Sequence, residues 1–185
     1  MEFSGKKVTV VGTGISGIGA VGLLNAVGAE VVLYDGNEKL KIEDIEKKLG
    51  TYKAEIVLGE LTKELTDSSD LLVISPGVPI DSPVVKAFEA AGVPVWGEVE
   101  LAYAFDKGKV LAITGTNGKT TTTALVGQIV GAYHKDTFVV GNIGNPYTTE
   151  VLKSNKDSYT VAEISSFQLE TVHEFHPLVS AILNI

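Results

Sequence analysis

The stretch KVTVVGTGISG at residues 7–17 decides the predicted fold. A run of β-branched residues leads into three glycines with the spacing G-x-G-x-x-G, and a helical pattern follows. Gly12 permits a tight turn after the strand, Gly14 lets a diphosphate approach the backbone, and Gly17 lets the helix pack closely on the strand. This first glycine loop predicts a Rossmann-like βαβ unit that binds a diphosphate-bearing ligand.

An acidic residue, Asp35, stands at the end of the next predicted strand. In a Rossmann-like unit this position accepts hydrogen bonds from a ribose hydroxyl or a base N–H. The helix that begins near Ile15 would point its free amides and its positive dipole end at the diphosphate. On this stretch alone, a nicotinamide dinucleotide is one possible ligand, and a glycine-rich turn that only packs is the alternative.

Outward from this unit, apolar β-branched runs alternate with helical patterns, which predicts doubly wound parallel α/β sheets. The pattern restarts near residue 98, so we expect one domain over residues 1–97 and a second over 98–185. The chain ends in the apolar stretch SAILNI, from which we expect the second domain to be incomplete. The predicted strands are KVTVVG, EVVLYD, LLVIS, VPVW, KVLAITG, TFVVG, YTVAEI and LVSAILNI, and the predicted helices cover 15–27, 82–91 and 118–132. The charged run KLKIEDIEKKLG at 39–50 is interpreted as a solvated helix face.

Composition narrows the class of protein. The 185 residues carry a net charge of −8, which argues against a general nucleic-acid binder. The absence of cysteine excludes disulfides and thiolate chemistry. The N-terminal sequence has no apolar signal core and the apolar runs are too short to span a membrane. We therefore expect a cytoplasmic protein without a membrane or nucleic-acid partner.

A second glycine-rich stretch, ITGTNGKTTTT at residues 113–123, follows a predicted strand and opens a helix. This is the layout of an NTP-binding loop, in which backbone amides of 115–120 cradle phosphates and Lys119 reaches the β- and γ-phosphates. The Thr120 hydroxyl would ligate Mg²⁺. The strict pattern G-x-x-x-x-G-K-[ST] requires glycine at position 113, where this chain has Ile113. The predicted ATP-binding residues of this second glycine loop are Gly115, Thr116, Asn117, Gly118, Lys119, Thr120 and Thr121.

Further polar residues follow the ends of predicted strands, where ligands bind to parallel sheets. Glu163 is suited to bind Mg²⁺, which prefers one or two carboxylates together with phosphate oxygens. Ser165 and Gln168 follow it and could meet a polar substrate. Asn142 and Gly77 lie in glycine-containing loops that suit ligand contacts, although ordinary turns use the same residues.

These motifs resemble the Mur ligases, ATP-dependent amino-acid ligases of bacterial peptidoglycan synthesis. The resemblance rests on GTNGKTTT, on Asn142 in GNIG, on Glu163 in AEISSFQLE and on the ending AILNI, and it covers essentially the whole chain. The stretch SSFQLE and the Rossmann-like first domain are most similar to the branch that joins D-glutamate to UDP-N-acetylmuramoyl-L-alanine. The resemblance implies an N-terminal domain for the UDP end, a central ATPase domain that uses ATP and Mg²⁺, and a C-terminal domain.

The resemblance also assigns roles to residues. Lys119 and Glu163 would be catalytic: Lys119 would contact the ATP phosphates, and Glu163 would ligate Mg²⁺ together with Thr120. Some members have an arginine near the uracil, where this chain has Asn37. The implied contacts of UDP-N-acetylmuramoyl-L-alanine are Gly14, Ile15 and Ser16 at the diphosphate, Asp35, Gly36 and Asn37 at the uracil, Gly77 and Asn142 along the substrate path, and Ser165 and Gln168 near the muramoyl end.

Three alternatives stay open from the sequence. A nicotinamide-binding oxidoreductase or sensor would leave the second glycine loop without a role. Another ligase of the superfamily would share the ATP loop; the folate enzymes lack the first domain, and SSFQLE argues against the ligase specific for L-alanine. A non-catalytic nucleotide-binding regulator would keep both loops. In the family an Asp-His pair and a carbamylated lysine follow the I-L-N sequence, so we expect these 185 residues alone not to ligate.

Overall fold

A computed structural model describes residues 2–185 as two parallel sheets with helices packed on them. This confirms the predicted parallel α/β class. The strands are β1 Lys7–Val11, β2 Glu30–Asp35, β3 Glu55–Leu58, β4 Leu71–Ile74, β5 Val95–Gly97, β6 Lys109–Thr114, β7 Thr137–Gly141, β8 Tyr159–Glu163 and β9 Val179–Ile182. The helices are α1 Ile15–Ala26, α2 Ile42–Leu49, α3 Lys63–Ser68, α4 Pro83–Ala90, α5 Glu98–Tyr103, α6 Lys119–Tyr133, α7 Tyr147–Glu150 and α8 Ser166–Leu169, with a 3₁₀ turn at Val151–Lys153.

The N-terminal sheet has the strand order β3-β2-β1-β4-β5, and all of its pairings are parallel. The chain direction across the sheet reverses at β1, which creates the crevice where open α/β sheets bind ligands. The first glycine loop follows β1 and therefore lies at this crevice.

The C-terminal sheet has the order β7-β8-β6-β9 and is also parallel throughout. Its internal strand β6 leads into the second glycine loop. In the register of the sheet, Glu163 on β8 lies between Ile113 on β6 and Gly141 on β7. The loops that follow these three strands consequently meet at one edge of the sheet.

The strand β3 is absent from the sequence-based prediction, which expected four strands before residue 98 where the structure has five. Its sequence EIVL offers only three consecutive apolar residues, and it lies at the sheet edge with its side chains half-buried. Such a short edge strand lacks the long apolar run of a strand covered on both faces.

Helix α5 joins the two sheets. It begins at Glu98, directly after β5, and packs on β4 and β5 of the N-terminal sheet as well as on α1 and α7. Helix α1 also contacts α7, because Gly19 leaves room there: a Cβ at Gly19 would lie 2.7 Å from Thr148 Oγ1. One apolar core extends from Val8 and Val10 in the first sheet to Val140 and Ala162 in the second.

Candidate functional site

The glycines of the first loop have separate structural roles. Gly12 has φ +104°, a conformation that favours glycine, and its N–H donates to the Tyr34 carbonyl at 2.9 Å. A Cβ on Gly17 would lie 1.9 Å from the Gly12 carbonyl oxygen, so packing of α1 requires glycine there. A Cβ on Gly14 would meet nothing within 4 Å. Backbone conformation thus explains Gly12 and packing explains Gly17, whereas Gly14 faces open space where a ligand would approach.

Asp35 already hydrogen-bonds the first loop in this structure. Its Oδ2 accepts from the Thr13 N–H at 3.3 Å and from the Thr13 hydroxyl at 3.0 Å, and its Oδ1 accepts from the Asn37 N–H at 3.1 Å. A carboxylate offers about four lone-pair sites, so one remains for a ligand donor. Gly36 and Asn37 are exposed beside it.

The start of α1 leaves backbone N–H groups without intrahelical partners. Gly14 is the N-cap residue, and neither it nor the first turn supplies a side-chain cap or an acidic residue. Ile15 is exposed and Ser16 is half-buried. An anion that binds here would meet these free N–H groups and the positive end of the helix dipole.

A lysine from another helix reaches the first loop. The Lys48 ammonium group donates to the Thr13 carbonyl at 3.3 Å. Its neighbour Lys47 instead pairs with Asp44 on the same helix, at 3.4 Å. The interpretation of residues 39–50 as a solvated helix face therefore missed that one end of α2 supplies a positive charge to the loop.

The second loop turns at two glycines in conformations that favour glycine, Gly115 with φ +138° and Gly118 with φ +82°. The Lys119 ammonium group folds back over the loop and donates to the carbonyls of Gly115 at 2.8 Å and Thr116 at 3.2 Å. Thr120 and Thr121 are exposed on the first turn of α6. The loop thus has the shape and the cation of a phosphate-binding site.

Asn184, which sequence reasoning did not select, is hydrogen-bonded to this loop. Its side-chain Oδ1 accepts from the Asn117 N–H at 2.8 Å, and its Nδ2 donates to the Asn117 carbonyl at 3.0 Å. Its backbone carbonyl accepts from the Thr116 N–H at 3.2 Å. The amides of residues 116 and 117 therefore have partners within the chain, and the free amides begin at Gly118.

Glu163 is a buried carboxylate with one free oxygen. Its side chain is 1% exposed, and its Oε1 accepts from the Asn142 side-chain amide at 3.0 Å. The buried Oε2 has no hydrogen-bond partner among the described residues. Because an uncompensated buried charge is costly, this oxygen is suited to a cation. Among residues 2–185 no group of three His, Cys, Asp or Glu side chains is placed to hold a metal ion, so any metal here would need further oxygens from a ligand.

Ser165 and Gln168 hydrogen-bond each other at the start of α8. The Ser165 hydroxyl accepts from the Gln168 N–H, and Gln168 Oε1 accepts from the Ser165 N–H at 2.8 Å. The buried Glu98 accepts hydrogen bonds from the Thr148 N–H and the Thr148 hydroxyl, both at 3.3 Å. Burial raises the pKa of Glu98, and the hydrogen bonds from Thr148 partly offset this rise. The Thr148 contacts join α7 to the start of α5.

Gly77 lies in the turn after β4, beside a cleft of about 610 Å³. The cleft lies between this turn and α8, because its lining includes the exposed Phe167 and Glu170. The cleft is consequently lined by residues that follow a strand of each sheet. It provides space beside Gly77, where the sequence predicts part of the substrate path.

Both parts of the chain match known protein families. The family described as "Mur ligase MurD-like, N-terminal domain" matches residues 6–97, and the family described as "Mur ligase middle domain" matches residues 113–185. The chain belongs to the Mur ligase family. This confirms the family resemblance inferred from the sequence.

Named relatives agree with the D-glutamate branch of the Mur ligases. The chain is 71% identical over 185 residues to the UDP-N-acetylmuramoylalanine–D-glutamate ligase of Lachnospira eligens, and 59% identical over 186 residues to that of Lachnoclostridium phytofermentans. Each match covers 100% of this chain and 41% of the relative. The chain thus spans about two fifths of the length of these curated relatives.

A solved Mur ligase structure shares the fold. The UDP-N-acetylmuramate:L-alanyl-gamma-D-glutamyl-meso-diaminopimelate ligase from Neisseria meningitides matches with a TM-score of 0.59 at 18% identity. The match covers 98% of this chain and 61% of that one. In the part of this Mur ligase chain that the structure describes, no helix has both the length and the apolar character needed to cross a membrane.

Proposed function

We propose that this chain is the N-terminal part of an ATP-dependent ligase that adds D-glutamate to UDP-N-acetylmuramoyl-L-alanine through an acyl phosphate. Two parts are proposed within it, a UDP-substrate domain over residues 1–97 and the first part of an ATP-binding domain over 98–185. The observation that carries the proposal is the free oxygen of buried Glu163 at the sheet edge that also bears the lysine-containing second loop. The names of relatives up to 71% identical support the choice of substrates.

The residues at this edge fit Mg²⁺ and ATP. The Oε2 of Glu163 is an oxygen donor without another partner, and oxygen donors are what Mg²⁺ prefers. The Thr120 hydroxyl is exposed at the start of α6 and would be a second ligand. Bound Mg²⁺ would neutralise charge on the ATP phosphates during phosphoryl transfer.

Lys119 would act on the transferred phosphoryl group. Its ammonium group now contacts the loop carbonyls of Gly115 and Thr116, within the loop that would surround the phosphates. A cation there stabilises negative charge that develops in the transition state. Asn142 would act indirectly, because its amide fixes one oxygen of Glu163 and leaves the other for the metal.

The first loop would bind the UDP end of the substrate. The free amides near Ile15 and Ser16 suit the diphosphate, and the remaining lone pair of Asp35 suits the N–H of uracil. The open space at Gly14 allows the diphosphate to approach the backbone. Ser165, Gln168 and Gly77 would lie along the muramoyl end, toward the cleft of about 610 Å³. The proposed reaction uses ATP and a soluble UDP-linked precursor, so we propose a cytoplasmic location.

The test is calorimetric titration of the chain with UDP-N-acetylmuramoyl-L-alanine, with NADH and with ATP in the presence of Mg²⁺. We expect the UDP compound to bind at the first loop and ATP at the second, each with an affinity that the other ligand does not change. We expect NADH not to bind. The matched variant is Asp35→Ala, which should weaken binding of the UDP compound and leave ATP binding unchanged. Binding of NADH in preference to the UDP compound would contradict the proposal.

We also propose that the 185 residues alone do not form the product, because the family resemblance assigns the second metal site and the D-glutamate site to residues outside this sequence. Product formation is measured by chromatography after incubation with ATP, Mg²⁺, D-glutamate and the UDP compound. Detectable D-glutamate ligation by the 185-residue polypeptide would overturn this part of the proposal.

A further inference from the structure

Asn184 and the second loop form a peptide-like pairing. The side-chain amide of Asn184 both accepts from and donates to the backbone of Asn117, and the Asn184 carbonyl accepts from the Thr116 N–H. Immediately before it, the Leu183 N–H donates to the Thr114 carbonyl at 3.0 Å. The chain that follows β9 therefore continues alongside β6 and extends over the loop.

The hydrogen bonds between Asn184 and the second loop require the two segments to be close together, and the absence of a side chain at Gly115 allows this approach. A Cβ on Gly115 would lie 3.1 Å from both the backbone nitrogen and the carbonyl oxygen of Asn184. The half of the loop that contains Thr116 and Asn117 is consequently fixed against the strand. The half that begins at Gly118 keeps its amides free at the start of α6, because the first turn of a helix has no acceptors for them.

The chemistry of the side chain also matters. An amide supplies one donor and one acceptor without charge. An aspartate would still accept from the Asn117 N–H, but it would face the Asn117 carbonyl without a donor. It would also place a negative charge beside a loop that holds negative phosphates.

We propose that Asn184 is a positioning residue of the ATP site, which holds Thr116 and Asn117 so that the amides from Gly118 onward and Lys119 meet the phosphates. Asn184 acts through the loop and need not touch the nucleotide. The inference rests on the proposed function, because it assigns a role in ATP binding.

The experiment compares Asn184→Ala, Asn184→Asp and the control Asn155→Ala. Asn155 is matched because its side chain also accepts from a backbone N–H, that of Asp157, and donates to Asp136, in a turn before β8. Binding of ATP with Mg²⁺ and of UDP-N-acetylmuramoyl-L-alanine is measured by calorimetry. Hydrogen exchange at the Thr116 and Asn117 amides reports the loop directly.

For Asn184→Ala we expect ATP affinity to fall about tenfold, which corresponds to about 1.4 kcal/mol, because the two side-chain hydrogen bonds to Asn117 are lost. Exchange should become faster at the Asn117 amide, whereas the Thr116 amide keeps its partner, the Asn184 backbone carbonyl. Asn184→Asp should weaken ATP binding further, and the excess should shrink as salt rises, because charge repulsion is screened. Affinity for the UDP compound should not change in either variant. Asn155→Ala should leave both affinities unchanged.

The outcomes separate the inference from the proposed function. If the unmodified chain binds ATP and Asn184→Ala binds it equally well, the positioning role is overturned while the proposed function stands. Equal ATP affinity of the Ala and Asp variants at every salt concentration would overturn the role of the neutral side chain. If the unmodified chain does not bind ATP, the proposed ATP site and this inference both fail, whatever the exchange rates show.

Discussion

The two glycine loops share a local geometry and differ in the chemistry that holds them. Each follows an internal strand of a parallel sheet, opens a helix, and donates one backbone N–H to a side chain that follows or ends another strand. That side chain is the carboxylate Asp35 at the first loop and the neutral amide Asn184 at the second. A lysine donates to loop carbonyls in both, Lys48 from a separate helix and Lys119 from the second loop itself.

This difference indicates which ligand each loop suits. A carboxylate beside the first loop favours hydrogen-bond donors such as a nucleoside N–H or hydroxyl. A carboxylate beside the second loop would repel the negative charge of a triphosphate, and at that position the chain has the neutral amide of Asn184. Glycine spacing alone predicts that an anion binds, whereas under the proposed function the residues that hydrogen-bond each loop would distinguish one nucleotide from another.

The largest expected effect concerns packing at the first loop. Gly17→Ala should destabilise the fold by about 3 kcal/mol, because its Cβ would overlap the Gly12 carbonyl oxygen. Gly14→Ala is the matched control, since its Cβ meets nothing within 4 Å. It should leave the free energy of unfolding nearly unchanged and weaken only the binding of the UDP compound. Urea unfolding measures both variants, and equal destabilisation would contradict the separate roles of the two glycines.

The second prediction concerns the cation within the second loop. Lys119→Met should lower ATP affinity about 100-fold, because it removes a charge-assisted contact to the phosphates. Binding of the UDP compound should be unchanged, since the first loop has a different lysine. Lys135→Met, an exposed lysine just beyond the end of α6, is the control and should affect neither ligand. Calorimetry measures both; a similar loss for both ligands would mean that the loops do not act separately.

The two loops also show which features of the structure could be predicted from the sequence. Both were predicted because their signals are local: β-branched residues, then glycines at fixed spacing, then a helix. The residues that hold them were harder to find. Thr13 and Asp35 are 22 positions apart, and Asn117 and Asn184 are 67 positions apart, so their contacts exist only after the sheets have formed.

Burial was equally hard to infer at charged residues. Glu98 and Glu100 stand near the predicted domain boundary and were assigned no role from the sequence, yet they are 3% and 1% exposed. Their carboxylates accept hydrogen bonds from helix starts and turns that come 50 or more positions later in the chain. Nothing in the local pattern around α5 indicates that these later segments would return to it. Lys48 was similarly interpreted as part of a solvated helix face. The sequence pattern predicts the helix but does not show which other segments of the chain lie against it.

The third prediction concerns Glu98, which joins the part of the molecule that bears the second loop to the part that bears the first. Burial raises the pKa of Glu98 above its ordinary value of 4.5. The folded state therefore holds this proton more tightly than the unfolded state, so the stability that Glu98 contributes is complete below pH 4.5 and is lost as pH rises through its folded pKa.

Glu98→Gln removes this titration. The stability of the variant relative to the unmodified chain should therefore increase as pH rises above 4.5. Glu100→Gln is the contrast, because an amide at 100 loses an acceptor for backbone N–H groups of residues 173–175, and about 2 kcal/mol should be lost. Urea unfolding at several pH values measures both. A Glu98→Gln difference that does not change with pH would contradict the assignment.

The smallest expected effect tests whether the first loop truly takes its positive charge from another helix. Lys48→Met should weaken binding of the UDP compound about threefold, because a single exposed charge near a diphosphate contributes less than 1 kcal/mol. The loss should diminish as salt rises, and ATP affinity should not change. Lys47→Met is the matched control, since Lys47 lies on the same helix but pairs with Asp44. If the two variants bind the UDP compound equally well at low salt, Lys48 does not serve the first loop, and that loop relies on its amides and the helix dipole alone.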